Sequence, residues 1–274
     1  MNQVSKGDLM KKIFFALISL LLLTSCDLLL PGYLDGNEVN PKDIPDLLLW
    51  FKADAGVMTG GTGCSDATGD ANNNENVSCW KDQSGNGYHA QQANAPNRPI
   101  LSNSVGVFGG QKALKFTEAN NEKLYNMISV PYSYNITLIT VSYTDTYANV
   151  GPTQVIFKAT HFYHEVYTGI YNSYFKAPNI IGGSYQKPVI FATTHDDSNY
   201  EMRGYFNGKK LETKVGTVSS ATNTTIHIGC DESSSYLNGY IAEILVYNRA
   251  LSEKEIQELN TYLGKKYNIK YEGD

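Results

Sequence analysis

The chain has 274 residues, 42% of them apolar, so it is long enough and apolar enough to bury a core, and intrinsic disorder is excluded. Its 27 acidic against 22 basic residues give a net charge of -5 with no Lys/Arg block, which removes nucleic acid from the partner classes. With 24 Gly and 20 Tyr but only 18% charged residues, the balance favours turn-rich all-β structure over long solvated helices.

Lys11 and Lys12 precede a mostly apolar run over 13–23, too short to cross a bilayer and matched to the central region of a secretory signal. The run ends in Leu23-Thr24-Ser25-Cys26, which resembles a bacterial lipobox. On that resemblance residues 1–25 are a signal peptide and Cys26 carries the lipid. Losing Lys6, Lys11 and Lys12 leaves the remainder more acidic, so membrane attachment rests on acyl chains alone, and one chain gives only marginal binding. The expected place is the bacterial cell envelope, outside the cytoplasm, with inner or outer membrane left open. Pro31, Pro41, Pro45, Gly32 and Gly36 then mark 26–45 as a flexible tether, and a single domain is expected over 46–274.

Within that domain, short runs of β-branched and aromatic residues alternate with Gly, Asn, Asp and Ser clusters, the pattern of an antiparallel β-sandwich. Strands are expected at 136–143, 154–158, 189–193 and 201–206, with a turn at 195–199. Asn207-Gly208 predicts a tight hairpin, because a type I′ turn needs positive φ at both central positions. One helix closes the chain: Ser252 with Glu255 forms a capping box, Ile256, Leu259 and Leu263 share a face, and Lys265 and Lys266 complete the last turn.

Gly239-Tyr240-Ile241-Ala242-Glu243-Ile244-Leu245-Val246-Tyr247-Asn248-Arg249-Ala250-Leu251-Ser252, then Glu255-Ile256, resembles the last strand and helix of laminin G-like, concanavalin A-like jelly rolls. Leu49-Trp50-Phe51-Lys52-Ala53-Asp54-Ala55-Gly56, Trp80-Lys81-Asp82-Gln83-Ser84-Gly85-Asn86-Gly87-Tyr88-His89-Ala90 and Tyr205-Phe206-Asn207-Gly208-Lys209 resemble the same family's opening and middle hairpin. The resemblance covers about 48–269 and implies two stacked antiparallel sheets, without by itself implying a function.

Cys64 and Cys79 flank a Gly/Asn-rich insertion and are expected to form a disulfide in an exported protein. Cys230 is expected as a buried thiol at a strand end, pairing with either of the other two remaining open. Glu243, grouped by alternation with Ile241, Leu245 and Tyr247, reads as a structural carboxylate bonded to backbone or Arg249. Trp50 and Trp80 read as core. Asp82-x-Ser84-x-Asn86-Gly87 and Asp70-x-Asn72-x-Asn74 open like calcium loops but have Ala93 and Lys81 where a bidentate Glu belongs. The family resemblance implies rim calcium in some members, to which Asp231-Glu232 or Asp196-Asp197 would contribute, yet no motif transfers ligands and solvated turns are expected. His161-Phe162-Tyr163-His164-Glu165 fails the zincin order and reads as an exposed strand. Sequons at Asn76, Asn135 and Asn223 are incidental in a lipobox protein.

No catalytic residue, metal site or cofactor is therefore assigned. The expected function is a non-catalytic binding module, chiefly for carbohydrate, engaging its ligand through Tyr, Asn and Asp at a rim or sheet face. An adhesion or structural envelope protein that binds other proteins is the second class. A glycoside hydrolase is the third, disfavoured because Glu-x-Asp-x-x-Glu is absent and Glu243 has no acidic neighbour at i±2, although a cross-strand partner such as Glu201 stays open.

Overall fold

A computed structural model of the chain describes residues 39–126, 130–131, 134–145, 153–159, 162–168, 170–174, 179–184, 186–216, 225–231 and 234–272. The expected signal peptide, Cys26 and most of the expected tether lie outside the described residues, as do His161, Asn223 and Glu232.

The strands follow in order as β1 (Leu47–Lys52), β2 (Val57–Thr59), β3 (Gly69–Asp70), β4 (Cys79–Trp80), β5 (Ala90–Gln91) and β6 (Ile100–Val105). Next come β7 (Gln111–Phe116), β8 (Leu124–Asn126), β9 (Ile136–Thr144), β10 (Gln154–Ala159), β11 (Phe162–Tyr167) and β12 (Ile170–Tyr174). The series ends with β13 (Asn179–Ser184), β14 (Val189–Asp196), β15 (Glu201–Phe206), β16 (Lys209–Val215), β17 (His227–Ile228) and β18 (Gly239–Tyr247), before helix α1 (Glu253–Tyr267). An eight-stranded sheet runs β16-β15-β14-β9-β18-β7-β6, with β1 also paired to β18, and a ten-stranded sheet runs β13-β12-β11-β10-β17-β8-β5-β4-β2-β3. The fold is the expected antiparallel β-sandwich of jelly-roll type with one terminal helix.

Two apolar clusters explain the sequence pattern. Phe51, Trp80, Leu114, Leu124, Phe157, Val166, Phe191, Ile228, Ile244 and Val246 belong to one that fills the space between the sheets. Trp50, Phe108, Ile139, Tyr205, Leu245 and Tyr247 meet Ile256, Leu259, Leu263 and Tyr267 of α1 in the other, on the outer face of the eight-stranded sheet. Central strands β9 and β18 are thus buried on both faces, which is why β18 reads as a near-continuous apolar run and the polar positions of β9 are confined to Thr and Ser.

The helix starts where expected: Ser252 Oγ accepts from the Glu255 backbone, and Glu255 Oε2 accepts from the Ser252 backbone at 2.8 Å. Arg249 donates two bonds to Glu255, at 3.0 and 2.6 Å, and holds its carboxyl down at about 2. The hairpin also forms, with φ of 45° at Asn207 and 83° at Gly208.

Residues 39–45, ahead of the expected boundary at Asp46, are included in the packed unit. Pro41 is buried in a 3-10 turn, Ile44 joins the cluster under the helix, and Tyr247 donates its hydroxyl to the Pro41 carbonyl at 3.0 Å. Proline there shapes a docked segment. The turn expected from His195 is likewise shorter, since β14 continues through Asp196 and His195 is buried in it.

Candidate functional site

The eight-stranded sheet has its outer face covered by α1, so the outer face of the ten-stranded sheet is the larger candidate surface. Strand β11 shows how its side chains divide. Phe162 and Val166 belong to the inter-sheet cluster, and His164 points inward with them, its ring bonded to Thr140 and Thr193 of the opposite sheet at 2.9 Å each. Alternation therefore turns Tyr163, Glu165 and Tyr167 outward. The expectation of an exposed strand at His164 is corrected: the residue is fully buried, and desolvation pushes its pKa down to about 3, leaving a neutral imidazole.

The pairing register extends this row across neighbouring strands. Gln91 lies opposite Tyr125, Tyr125 opposite His227, His227 opposite Lys158, and Lys158 opposite Tyr163. Their inward neighbours Ala90, Leu124, Ile228, Phe157 and Phe162 are all buried in the core, which fixes the row to the outer side. At about 4.8 Å per strand the row spans roughly 19 Å, a length suited to an extended ligand. A second row places Glu165 opposite Asn172, with Ile181 beyond it.

One end of this face is walled. Cys79, in line with Gln91 on the outer side, is disulfide-bonded to Cys64, as expected, and Gln91 Oε1 accepts from the Cys64 backbone at 2.9 Å. Asp66 ties the same loop by accepting from the backbones of Thr62 and Gly63 at 2.8 Å. A Cβ at Gly63 would come within 2.3 Å of Gln91, so the absence of a side chain lets the loop lie close.

Glu165 is the residue that the sequence reading did not single out. It is half-buried and, among the described residues, accepts no hydrogen bond. Buried Val155 lies opposite it on β10. Desolvation first, and the charge of Asp231 second, push its carboxyl up to about 7 against the lowering effect of Lys158. Lys158 donates to the Asp231 carbonyl at 2.9 Å, while Asp231 Oδ1 accepts from the backbones of Ser234 and Ser235 at 2.9 and 3.0 Å. The usable signal was the alternation in Phe162-Tyr163-His164-Glu165-Val166-Tyr167, which sorts the six side chains onto two faces.

The other singled-out residues take structural places. Glu243 is 0% exposed and accepts from Trp50 Nε1 at 2.6 Å, Tyr267 hydroxyl at 2.7 Å and Lys266 Nζ at 2.7 Å; Arg249, the expected partner, serves Glu255 instead. Its expected grouping with Ile241 also fails, because a register shift between Ile241 and Glu243 sends Ile241 to the inter-sheet core while Ala242, Leu245 and Tyr247 face the helix. Glu201 sits on β15, separated from β18 by β14 and β9, so the pair left open in sequence is not formed. Trp50 and Trp80 are both buried, as expected.

Asp82 is not the solvated turn that was expected. Buried, it accepts from the backbones of Trp50, Ser84 and Tyr88, while Asn86 donates to Leu47 and Leu48, so this segment clasps β1. Asp196 accepts from Ser198 within its own turn, and Cys230 is a buried thiol outside the disulfide. Among the described residues no group of three His, Cys, Asp or Glu side chains could hold a metal ion.

Residues 183–257 match the family model described as the concanavalin A-like lectin/glucanases superfamily. Over that stretch the chain is similar to this superfamily. The chain aligns with a Trypanosoma rangeli sialidase in complex with sialic acid at a TM-score of 0.56 and 15% identity, covering 96% of this chain and 39% of the sialidase chain. It spans about two fifths of that protein. Domain 4 of an extracellular arabinanase from Geobacillus stearothermophilus, in complex with arabinotriose, aligns at 0.54 and 13% identity over 78% of this chain and 98% of its own. The binding domain of botulinum neurotoxin serotype D/C aligns at 0.51 and 15% identity, over 81% of this chain and 53% of its own. At these identities the likeness is one of fold. A comparison with curated proteins finds no match.

Proposed function

We propose that the chain is a non-catalytic carbohydrate-binding module, held in the bacterial cell envelope through lipid on Cys26. The observation that carries this reading is the outward row Tyr125, His227, Lys158 and Tyr163, backed by Glu165 and Asn172. Tyrosine rings offer flat apolar faces to the C–H side of a sugar, and the interleaved amide, carboxylate and imidazole groups can bond its hydroxyls. The fold likeness to an arabinanase domain seen with arabinotriose supports a saccharide as the ligand. For the anchor, support comes from the sequence of Lys11, Lys12, the apolar run and Leu23-Thr24-Ser25-Cys26.

A hydrolase reading has one observation in its favour, since a carboxyl near pH 7 suits a general acid and Asp231 lies close enough to influence it. Against it, Asp231 directs Oδ1 into its own turn, and an open sheet face does little to exclude water.

The test is a screen of the full chain against neutral and acidic oligosaccharides and envelope protein extracts, with reducing-sugar release followed in parallel. Saccharide binding without release is expected. Release that stops in Glu165→Gln would establish the hydrolase, and retention of protein alone would establish the adhesion class. Metabolic labelling with an acyl probe is expected to mark the chain and to vanish in Cys26→Ala; label retained in the variant would refute the anchor.

A further inference from the structure

Glu165 holds an unusual position: a half-buried carboxyl group, central on a face of tyrosines, with no hydrogen-bond donor from the described residues. Burying such a group without a partner costs free energy, and the cost is recovered if a ligand brings the donors. Among the described residues, its neighbours come from its own strand, the two adjacent strands and the loop after β17. Lys158 contributes from β10, with His227 beyond it on β17; Asn172 lies opposite on β12; Asp231 approaches from the loop after β17; Tyr163 and Tyr167 flank it on its own strand.

Resting on the glycan reading above, we propose that Glu165 sets the specificity of this face, selecting neutral saccharides, whose adjacent hydroxyls donate to its ionised carboxylate, over saccharides that carry a carboxylate of their own. A carboxylate has two acceptor oxygens and matches a pair of neighbouring hydroxyls, whereas an acidic sugar meets like charge from both Glu165 and Asp231. Lys158 does not reverse this preference. Its ammonium donates to the Asp231 carbonyl at 2.9 Å, and its lowering effect on Glu165 is smaller than the raising effect of Asp231.

The selection is linked to protons. The carboxyl titrates near neutrality, so hydroxyl donors that favour the ionised form lower its pKa and release a proton on binding. Affinity for a neutral ligand then rises with pH through the titration, while affinity for an acidic ligand falls over the same range.

The experiment measures the affinity of the full chain at pH 5.5 and pH 8 for mixed neutral trisaccharides (arabino-, xylo-, gluco- and galacto-) and for galacturonate and glucuronate trimers. Neutral affinity is expected to increase about tenfold from the lower to the higher pH, the uronates are expected to bind only at the lower, and Glu165→Gln is expected to flatten both profiles. Carbon-13 NMR of the Glu165 carboxyl, assigned by its loss in that variant, is expected to show a titration midpoint that falls when the neutral ligand is added. Equal binding of neutral and acidic trimers at pH 8, or a pH profile unchanged by Glu165→Gln, overturns the selection while leaving glycan binding intact. Absence of binding by every saccharide overturns both.

Discussion

Two carboxylates, Glu243 and Glu165, show how similar residues are put to different uses. Glu243 is saturated by Trp50, Tyr267 and Lys266, and it joins the last turn of α1 to β18 and β1. Burial lowers the Lys266 pKa, but pairing with Glu243 together with the effects of Tyr262 and Asp54 more than offsets it, and the net shift is upward. Glu243→Ala would strand an ammonium, an indole and a phenol, and is expected to cost about 3 to 5 kcal/mol in urea denaturation. A loss below about 1 kcal/mol would contradict this role. Glu165 and His164 make opposite contributions to pH dependence. The His164 pKa is depressed from 6.5 to about 3, so its contribution is complete above pH 6.5 and is lost as pH falls toward 3. The Glu165 pKa is raised from 4.5 to about 7, so its contribution is complete below pH 4.5 and is lost as pH rises through 7. Glu165→Gln is therefore expected to melt above the wild type at pH 8, with the difference closing near pH 4.5. A difference independent of pH would contradict the shift. Sequence showed that Glu243 needed partners but not which, because Lys266 and Tyr267, 23 and 24 positions later, reach it only through the docking of the helix.

At the scale of elements, local chemistry was legible and long-range geometry was not. Ser252 and Glu255 marked the helix start, and Asn207-Gly208 marked the hairpin, because capping and positive φ are decided by a few adjacent residues. The β18 bulge was invisible. Strict alternation put Ile241 with Glu243, whereas the strand changes partner from β7 to β1 at that point and shifts register there. Pro41 and Pro45 read as tether for a similar reason: the contacts of the segment come from Tyr247, Asn248 and Arg249 at the far end of the domain. Gly208→Val is expected to cost at least about 1 kcal/mol, since φ is 83° and a Cβ would come within 2.1 Å of the Tyr271 ring. An unchanged urea midpoint would argue against the hairpin. Opening the Cys64–Cys79 bridge, which spans 15 positions, is expected to cost roughly 3 kcal/mol in the chain-entropy model. Because the bridge holds the loop against Gln91, Cys64→Ser with Cys79→Ser is also expected to weaken saccharide binding; stability and affinity both unaffected would show the loop to be independent of the face.

At the scale of the molecule, the two sheets have distinct tasks. One is sealed by α1 and the 39–46 segment and keeps the core dry, and the other carries its polar and tyrosine side chains on the opposite, outward surface. The resemblance of the 239–256 stretch pointed to this sandwich, but the proposed binding face came from a register that brings Tyr125, His227, Lys158 and Tyr163 together from four separate strands. No local motif encodes that alignment. Solution NMR of the full chain with carbon-13 in the tyrosine rings, titrated with the neutral trisaccharides, reports directly on where the ligand sits. Shifts at Tyr125 and Tyr163, with Tyr247 beneath the helix and Tyr267 on it unmoved, are the expected result; shifts on the helix side, or none at Tyr125 and Tyr163 while saccharide binds, would contradict a glycan-binding face on the ten-stranded sheet.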